Sequence, residues 1–410
     1  MGIFSFGGSK NRFGIIIDVG SGSVLTAIVH SNPANEHPMI VWAHREHTAL
    51  KSIDSIEHSA KAVLAALMNA SLKLEAEGRP VLDEYHPGAK FSLTQCSIAA
   101  PWSYTVTKSI NVNHEEPIEI TDNFVEELVY TAQKQVEEEL SEHSHTSKAG
   151  LKVITKATMD LLSNGYRVKN PEGATANTLN LTQATVVTQE YMMDGIIEVH
   201  EKLFPRAKVE AMSFILMLYC SIRSLYPQTD DVCLIDITDE ASEIGIVRDG
   251  SLKYSTHIPF GMFSLARELS VTCNIPLHEA LGHLRAENVT GVKKYLPESK
   301  HDDISTIFDE YTKRLAGLLN ETGDSLSIPK NILLHVESSY SPLFENLLSR
   351  AAKSATKIDH TIISVAKEII PAEQRAALHK VIGDHANDTA LLLNAEFFHK
   401  QKHCLDFKYS

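Results

Sequence analysis

The sequence predicts an α/β protein of two lobes, each built around a β-hairpin with an acid at its turn, and a small α+β domain inserted into the first lobe. Three observations predict it. GIIIDVGSGSVLTAIV (14–29) is an apolar strand, an Asp, a Gly/Ser turn and a returning apolar strand. IDITDEASEIGIV (235–247) lies over residues 17–29 without a gap, setting Asp18 on Asp236, Ser23 on Ala241, Ala27 on Gly245, Ile28 on Ile246 and Val29 on Val247. Between them, from about 89 to 185, strand signals surround one long acidic helix, the texture of an α+β insert and not of a continuing parent sheet.

The elements follow in order. Residues 1–12 (MGIFSFGGSKNR) are a Gly/Ser-rich lead; Ile3, Phe4, Phe6, Lys10 and Arg12 offer a local membrane or partner contact, against the plainer reading of a frayed terminus. Gly2 lacks the Ser or Thr at position 6 that myristoylation wants and has Phe6 instead. Strands are expected at 14–20, 23–30 and 39–43. A helix is expected over about 55–76, with Asp54 as N-cap and Glu57 three residues on. Ile56, Ala60, Val63, Leu64 and Leu67 form its apolar stripe, and Gly78 and Pro80 are its stop signals.

Inside the insert, strands are expected at 91–100 and 103–112, then the helix TDNFVEELVYTAQKQVEEEL with Phe124, Leu128, Ala132 and Val136 inward. A polar loop (141–150) leads to strands near 151–156, 165–169 and 177–187, the last two joined by NPEG (170–173). Helices follow at 189–202 and 210–225. The run AMSFILMLYCSI (211–222) is too short to span a bilayer and reads as a buried helix. The second hairpin continues through Arg248-Asp249-Gly250, a turn signal, into LKYSTHIPFG. NILLHVESSYSPLFENLL (331–348) reads as strand, polar turn and helix. In the tail, Leu391, Leu392, Leu393, Phe397 and Phe398 spread around a helical wheel, which favours a packed helix over an interfacial one. The expected division is therefore 1–88 and 186–228 for the first lobe, 89–185 for the insert, 229–343 for the second lobe, and 344–410 for the return and helical tail.

Bulk properties narrow the function. A chain of 410 residues has material for two or more domains. Net charge is −14 without a Lys/Arg block, which argues against nucleic acid as a partner and against a broad anionic membrane surface. The five cysteines (96, 220, 233, 273, 404) stand alone, as reduced thiols of a cytosolic protein do. His143 and His145 have no carboxylate or thiol at ligand spacing.

The turn residues carry the chemistry. Gly and Ser let backbone N–H groups approach an anion closely, and Ser hydroxyls add donors. An Asp beside phosphates makes sense when Mg²⁺ bridges the two. Two facing hairpins suit a polyphosphate and its metal. Gly20 and Gly22 do not open a helix as the G-x-G-x-x-G fingerprint requires, and no G-x-x-x-x-G-K-[ST] occurs.

The duplicated strand–Asp–turn–strand pattern resembles the actin-like ATPase superfamily, an α/β two-domain fold of ribonuclease H-like type with duplicated phosphate loops. Within it the chain looks like the FtsA/PilM branch, on IEITDNFVEELVYTAQ, NGYRVKNPEG, DGSLKYSTHIPFGMFSLARELS and HEALGHLRAENV, over roughly residues 12–350. The insert then corresponds to the branch's 1C or SHS2 domain. The resemblance implies ATP and Mg as cofactors, with Asp18, Gly20, Ser21, Gly22 and Ser23 in the first phosphate loop, Asp236 and Thr238 in the second, Glu337 and Ser338 at the adenosine turn, and Asp18 and Asp236 near the metal. It also implies a cytoplasmic scaffold at the inner membrane face, linking cytosolic components to membrane proteins of cell division or type IV pilus assembly, with homo-oligomers or filaments and indirect membrane contact.

The alternative is an active actin-fold ATPase or small-molecule kinase. Three departures argue against efficient hydrolysis. Thr238, Asp239 and Glu240 replace the second loop's glycines, and unit charges about 4 Å apart repel by about 4 kcal/mol at an effective dielectric near 20. Val336 and Glu337 replace the adenosine Gly-Gly and are expected to crowd a nucleoside. Glu210 is the sole candidate for positioning a water.

Overall fold

The structure is a computed structural model that describes residues 11–48, 56–144, 150–168, 171–226, 230–322, 327–370 and 372–400. The lead with Ile3, Phe4, Phe6 and Lys10, the Asp54 cap, His145, Cys404 and the end of the tail lie outside these residues, as do the side chains of Glu57 and His143.

The chain opens with β1 (Arg12–Val19), β2 (Ser23–Ser31) and β3 (Met39–His47), an antiparallel meander. Almost every residue of β1 and β2 is buried because both faces of the sheet are covered. Helix α1 (Ile56–Lys73) does not stop at Gly78: it widens into a π-turn (Leu74–Gly78) and continues as α2 (Arg79–Tyr85). Gly78 serves close approach, since a Cβ there would fall 2.9 Å from the Trp42 ring. Pro80 follows directly on the π-turn, in the first turn of α2.

Strand β4 (Phe91–Ile98), expected in the insert, pairs parallel with β1 instead and belongs to the first sheet. The insert's own sheet is formed by β5 (Ser103–Glu119), β6 (Leu151–Ser163), β7 (Tyr166–Arg167) and β8 (Thr175–Gln189), in the order β5-β8-β6-β7. Helix α3 (Asp122–Ser144) covers it through Val125, Leu128 and Ala132. The turn that pairs strands here is Asn164-Gly165, both at positive φ, joining β6 to β7. Strands β7 and β8, which NPEG was expected to join, do not pair; Asn170 lies outside the described residues.

Helix α4 (Glu190–Leu203) and β9 (Lys208–Ser213) follow, and β9 adds to β4. The apolar run expected as one helix is thus divided. Ser213 ends the strand and caps α5 (Phe214–Leu225), accepting from the Leu216 N–H. Residues 214–222 of α5 are all buried.

The second lobe repeats the first. Strands β10 (Val232–Ile237), β11 (Ser242–Arg248) and β12 (Ser251–Ile258) form a meander. Helices α6 (Met262–Cys273), α7 (Leu277–His283), α8 (Val289–Lys293) and α9 (His301–Asn320) lead to β13 (Asn331–His335), α10 (Ser341–Thr356) and β14 (Thr361–Ser364). The first sheet runs β3-β2-β1-β4-β9 and the second β12-β11-β10-β13-β14: an antiparallel meander, then two parallel strands, in the same order. Because β14 pairs with β13, α10 and β14 stay with the second sheet, and the chain returns only after residue 364, later than the expected 344. Helices α11 (Ala372–Ile382) and α12 (Thr389–Lys400) then pack on the first lobe; α12 lies against α5 and β1, with residues 389–398 buried. Among the described residues no helix is long and apolar enough to cross a membrane.

Candidate functional site

The two hairpins match in register as well as in sequence. Asp18 faces Leu25 and Val19 faces Val24; Asp236 faces Glu243 and Ile237 faces Ser242. Each turn closes with an equivalent backbone bond, Gly20 N–H to Ser23 O and Thr238 N–H to Ala241 O, both 2.9 Å. Each acid also meets the residue level with it on the neighbouring parallel strand. Ser97 Oγ donates to Asp18 Oδ1 at 2.7 Å, and His335 Nδ1 lies 2.7 Å from Asp236 Oδ1.

Both acids line one cleft of ≈ 680 Å³ between the lobes. Gly20, Ser21, Ser23, Thr238, Glu337 and Ser338 line it too; Gly22 stands at its edge, against Asp239. Glu210 does not line it: its carboxylate bonds Lys208 on β9. Val336 is buried in the second lobe's core and does not line the cleft, whereas Glu337 is exposed and does.

Sequence reasoning missed the groups that neutralise the acids. Arg45 on β3 donates to Asp388 through Nε at 2.6 Å and Nη2 at 3.0 Å, to Ser23 Oγ at 2.8 Å and to Asp18 Oδ2 at 3.3 Å. Asp388 also caps α12, accepting from the Leu391 N–H at 3.1 Å. Burial raises the Asp18 carboxyl above its ordinary range, with Arg45 and Ser97 pulling against it. Burial also works against Asp388, but Arg45 outweighs it and holds that carboxyl below its ordinary range. The closer, two-pronged contact explains which acid benefits. The sequence signal for Asp388 was present: an Asp just before an apolar run is an N-cap. Arg45, one charge in an alternating strand, gave none.

Across the cleft the turns touch. Ser21 Oγ donates to Thr238 Oγ1 at 2.8 Å and accepts from the Glu240 N–H at 2.9 Å. The two acidic residues of the second turn part company. Glu240 turns outward into a two-pronged pair with Arg267, at 2.8 and 2.5 Å. Asp239 turns inward and packs against Gly22.

A second carboxylate pair lies behind Asp236. Glu243 is 1% exposed, and its Oε2 and the Oδ2 of Asp236 have no hydrogen-bond partner among the described residues. Burial first, and the Asp236 charge second, raise the Glu243 carboxyl well above its ordinary range. The folded state therefore carries a penalty when Glu243 is ionised. It is fully felt above that raised value and relieved as pH falls toward the ordinary carboxylate range. Glu243→Gln is expected to stabilise the protein by about 1–2 kcal/mol at alkaline pH, its amide donating to Asp236 Oδ2. The gain should vanish toward acid pH; denaturant unfolding at both ends checks it, and an equal effect at both would refute it.

An ATP–Mg complex fits these residues poorly. Both carboxylate oxygens of Asp18 are already engaged, Oδ2 by the Arg45 guanidinium and Oδ1 by Ser97, and His335 holds Oδ1 of Asp236. Among the described residues no three His, Cys, Asp or Glu side chains gather into a metal site.

No family model and no curated protein sequence matches the chain. Solved structures do. A chain of the PilM–PilN type IV pilus biogenesis complex superposes with a TM-score of 0.55 at 12% identity, over 93% of this chain and 98% of that one. The diol dehydratase-reactivating factor in its nucleotide-free form gives 0.46 at 10% identity, over 94% and 100%. A Bacteroides thetaiotaomicron protein of unknown function with an actin-like ATPase fold gives 0.41 at 12% identity, over 92% and 99%.

Proposed function

From the actin-like fold that this chain has, we propose that it is a scaffold at the cytoplasmic face of a membrane and not a turnover enzyme. The observation that carries the reading is that the charges of the cleft are answered by the protein's own groups. Arg45 neutralises Asp18 and Asp388, and Asp239 packs against Gly22 of the first turn. Phosphoryl transfer depends on positioning and on stabilising charge on the transferred group. A cleft already satisfied by guanidinium and carboxylate has little of either left to offer.

Likeness to a chain of the PilM–PilN complex supports a membrane-protein partner of the pilus-assembly kind over one of cell division. The buried α12 supports the same choice, because a tail packed into the first lobe is not displayed as an anchor. Residues Asp18, Gly20, Ser21, Gly22, Ser23, Asp236, Thr238, Glu337 and Ser338 then serve mainly to set how the lobes meet. Metal binding by Asp18 and Asp236 is not part of this reading.

The test is capture of the full chain from cells with membranes retained in detergent. Co-purification of an integral membrane protein in fixed proportion is the expected result. Turnover of Mg-ATP by the purified chain, with no membrane protein captured, would establish the ATPase or kinase alternative.

A further inference from the structure

The second turn differs from the first where the two meet, and Asp239 is the residue at that point. Two hydrogen bonds cross from turn to turn, Ser21 Oγ to Thr238 Oγ1 and the Glu240 N–H to Ser21 Oγ, and beside them the Asp239 carboxylate packs against Gly22. The carboxylate is seated tightly. A Cβ added at Gly22 would fall 2.6 Å from Asp239 Cγ and 2.8 Å from its Cβ. Gly22 is therefore a glycine so that an anion can reach its backbone, and that anion belongs to the chain itself.

We propose that Asp239 is a built-in substitute for a ligand phosphate: its carboxylate fills the anion cradle of the first turn and holds the lobes together without nucleotide. The inference rests on the actin-like reading of the cleft and adds how that cleft is regulated. A carboxylate and a phosphate oxygen are both anionic acceptors for a backbone N–H, so one can stand in for the other.

Burial, with Glu337 and Glu240 adding to it and Arg45 opposing, pushes the Asp239 carboxyl up to about 7. A polyphosphate entering beside an ionised Asp239 would face it and Glu337 together. Binding therefore requires that Asp239 leave. Thr238 and Ser21, already bonded to each other, would have to separate as well.

The test compares the full chain with Asp239→Gly and Asp239→Asn by calorimetric titration with Mg-tripolyphosphate and with Mg-ATP. Tripolyphosphate removes any dependence on the adenosine turn. Amide exchange at residues 20–23 and 238–241 is followed alongside. Asp239→Gly is expected to bind tripolyphosphate at least about ten-fold more tightly than the parent chain, a difference of about 1.4 kcal/mol. Asp239→Asn, which keeps the shape and loses the charge, should fall between them. Without ligand, exchange at both turns should rise in Asp239→Gly and be slowed again by tripolyphosphate. Near-ultraviolet circular dichroism confirms that each variant is folded. Equal behaviour of parent and variants toward tripolyphosphate, whether all bind or none does, overturns the proposal. Capture of a membrane partner is scored separately: its failure would sink the scaffold reading and leave the role of Asp239 standing, and the reverse holds.

Discussion

Arg45→Ala is expected to lower stability by about 3–5 kcal/mol, the cost of leaving buried charges without their partner. Arg45 pairs with two carboxylates of the cleft, Asp18 and Asp388, and Asp18 is only 3% exposed. Its loss leaves Asp18 with Ser97 and Asn394, and Asp388 with the Leu391 N–H. Asp388, now held below its ordinary range, should titrate upward in the variant. Its contribution is present above the unfolded carboxylate value and lost as pH falls through the folded one. The parent's advantage over Arg45→Ala should therefore shrink at acid pH. Arg45→Lys should recover only part, because a single ammonium cannot bond Asp388 twice and still reach Ser23. Urea unfolding across pH measures all of this. A loss below about 1 kcal/mol, the range of an exposed ion pair, would show that the triad is solvated and would remove the central support for a self-satisfied cleft.

Phe398→Ala is expected to cost about 3–5 kcal/mol, the usual range for deleting a fully buried aromatic ring. Phe398 is 0% exposed and lies over Gly14, where any Cβ would strike its ring. Arg12 closes the contact from the other side, its guanidinium 5.2 Å from the ring centroid and its Nη2 donating to Phe398 O at 2.9 Å. The deletion therefore leaves a cavity between α12 and β1 that little can fill. The same variant separates two roles for the tail. A packed helix loses stability in lipid-free solution. A surface anchor would keep its stability there and lose binding to anionic vesicles instead. Thermal and denaturant unfolding without lipid, beside vesicle sedimentation, gives the answer.

How much of the site was legible depended on distance along the chain. Asp18 and Asp236 could be found because each sits at the same point of a local pattern, and two matching hairpins pair in the same register. The spread of Leu391, Leu392, Leu393, Phe397 and Phe398 around much of the wheel was equally local, and such a spread favours burial. Arg45 could not be found: the residue that gives it meaning, Asp388, is 343 positions away. Asn394, another neighbour of Asp18, is 376 away. The orientation of Asp239 and Glu240 was also hidden. Adjacent residues of one turn point to opposite sides, and which of them faces the cleft depends on where Gly22 and Arg267 stand.

Some elements were placed wrongly for the same reason. Residues 91–98 have the β-propensity of their neighbours in the insert, and only a partner strand could assign them to the first sheet. Gly78 and Pro80 carry helix-stop chemistry, but the Trp42 ring needed a residue without a side chain, and a π-turn absorbed both.

The sequence by itself determined two strand–acid–turn–strand units, a separate α+β segment between them, and a tail helix with apolar residues around much of its circumference. These are short-range properties, set by side-chain periodicity and turn stereochemistry. The tertiary structure alone decided what the acids do. Packing set Arg45 and Asp239 against the two turns, and burial made those contacts strong, because a charge removed from water is held by whatever countercharge the fold brings to it.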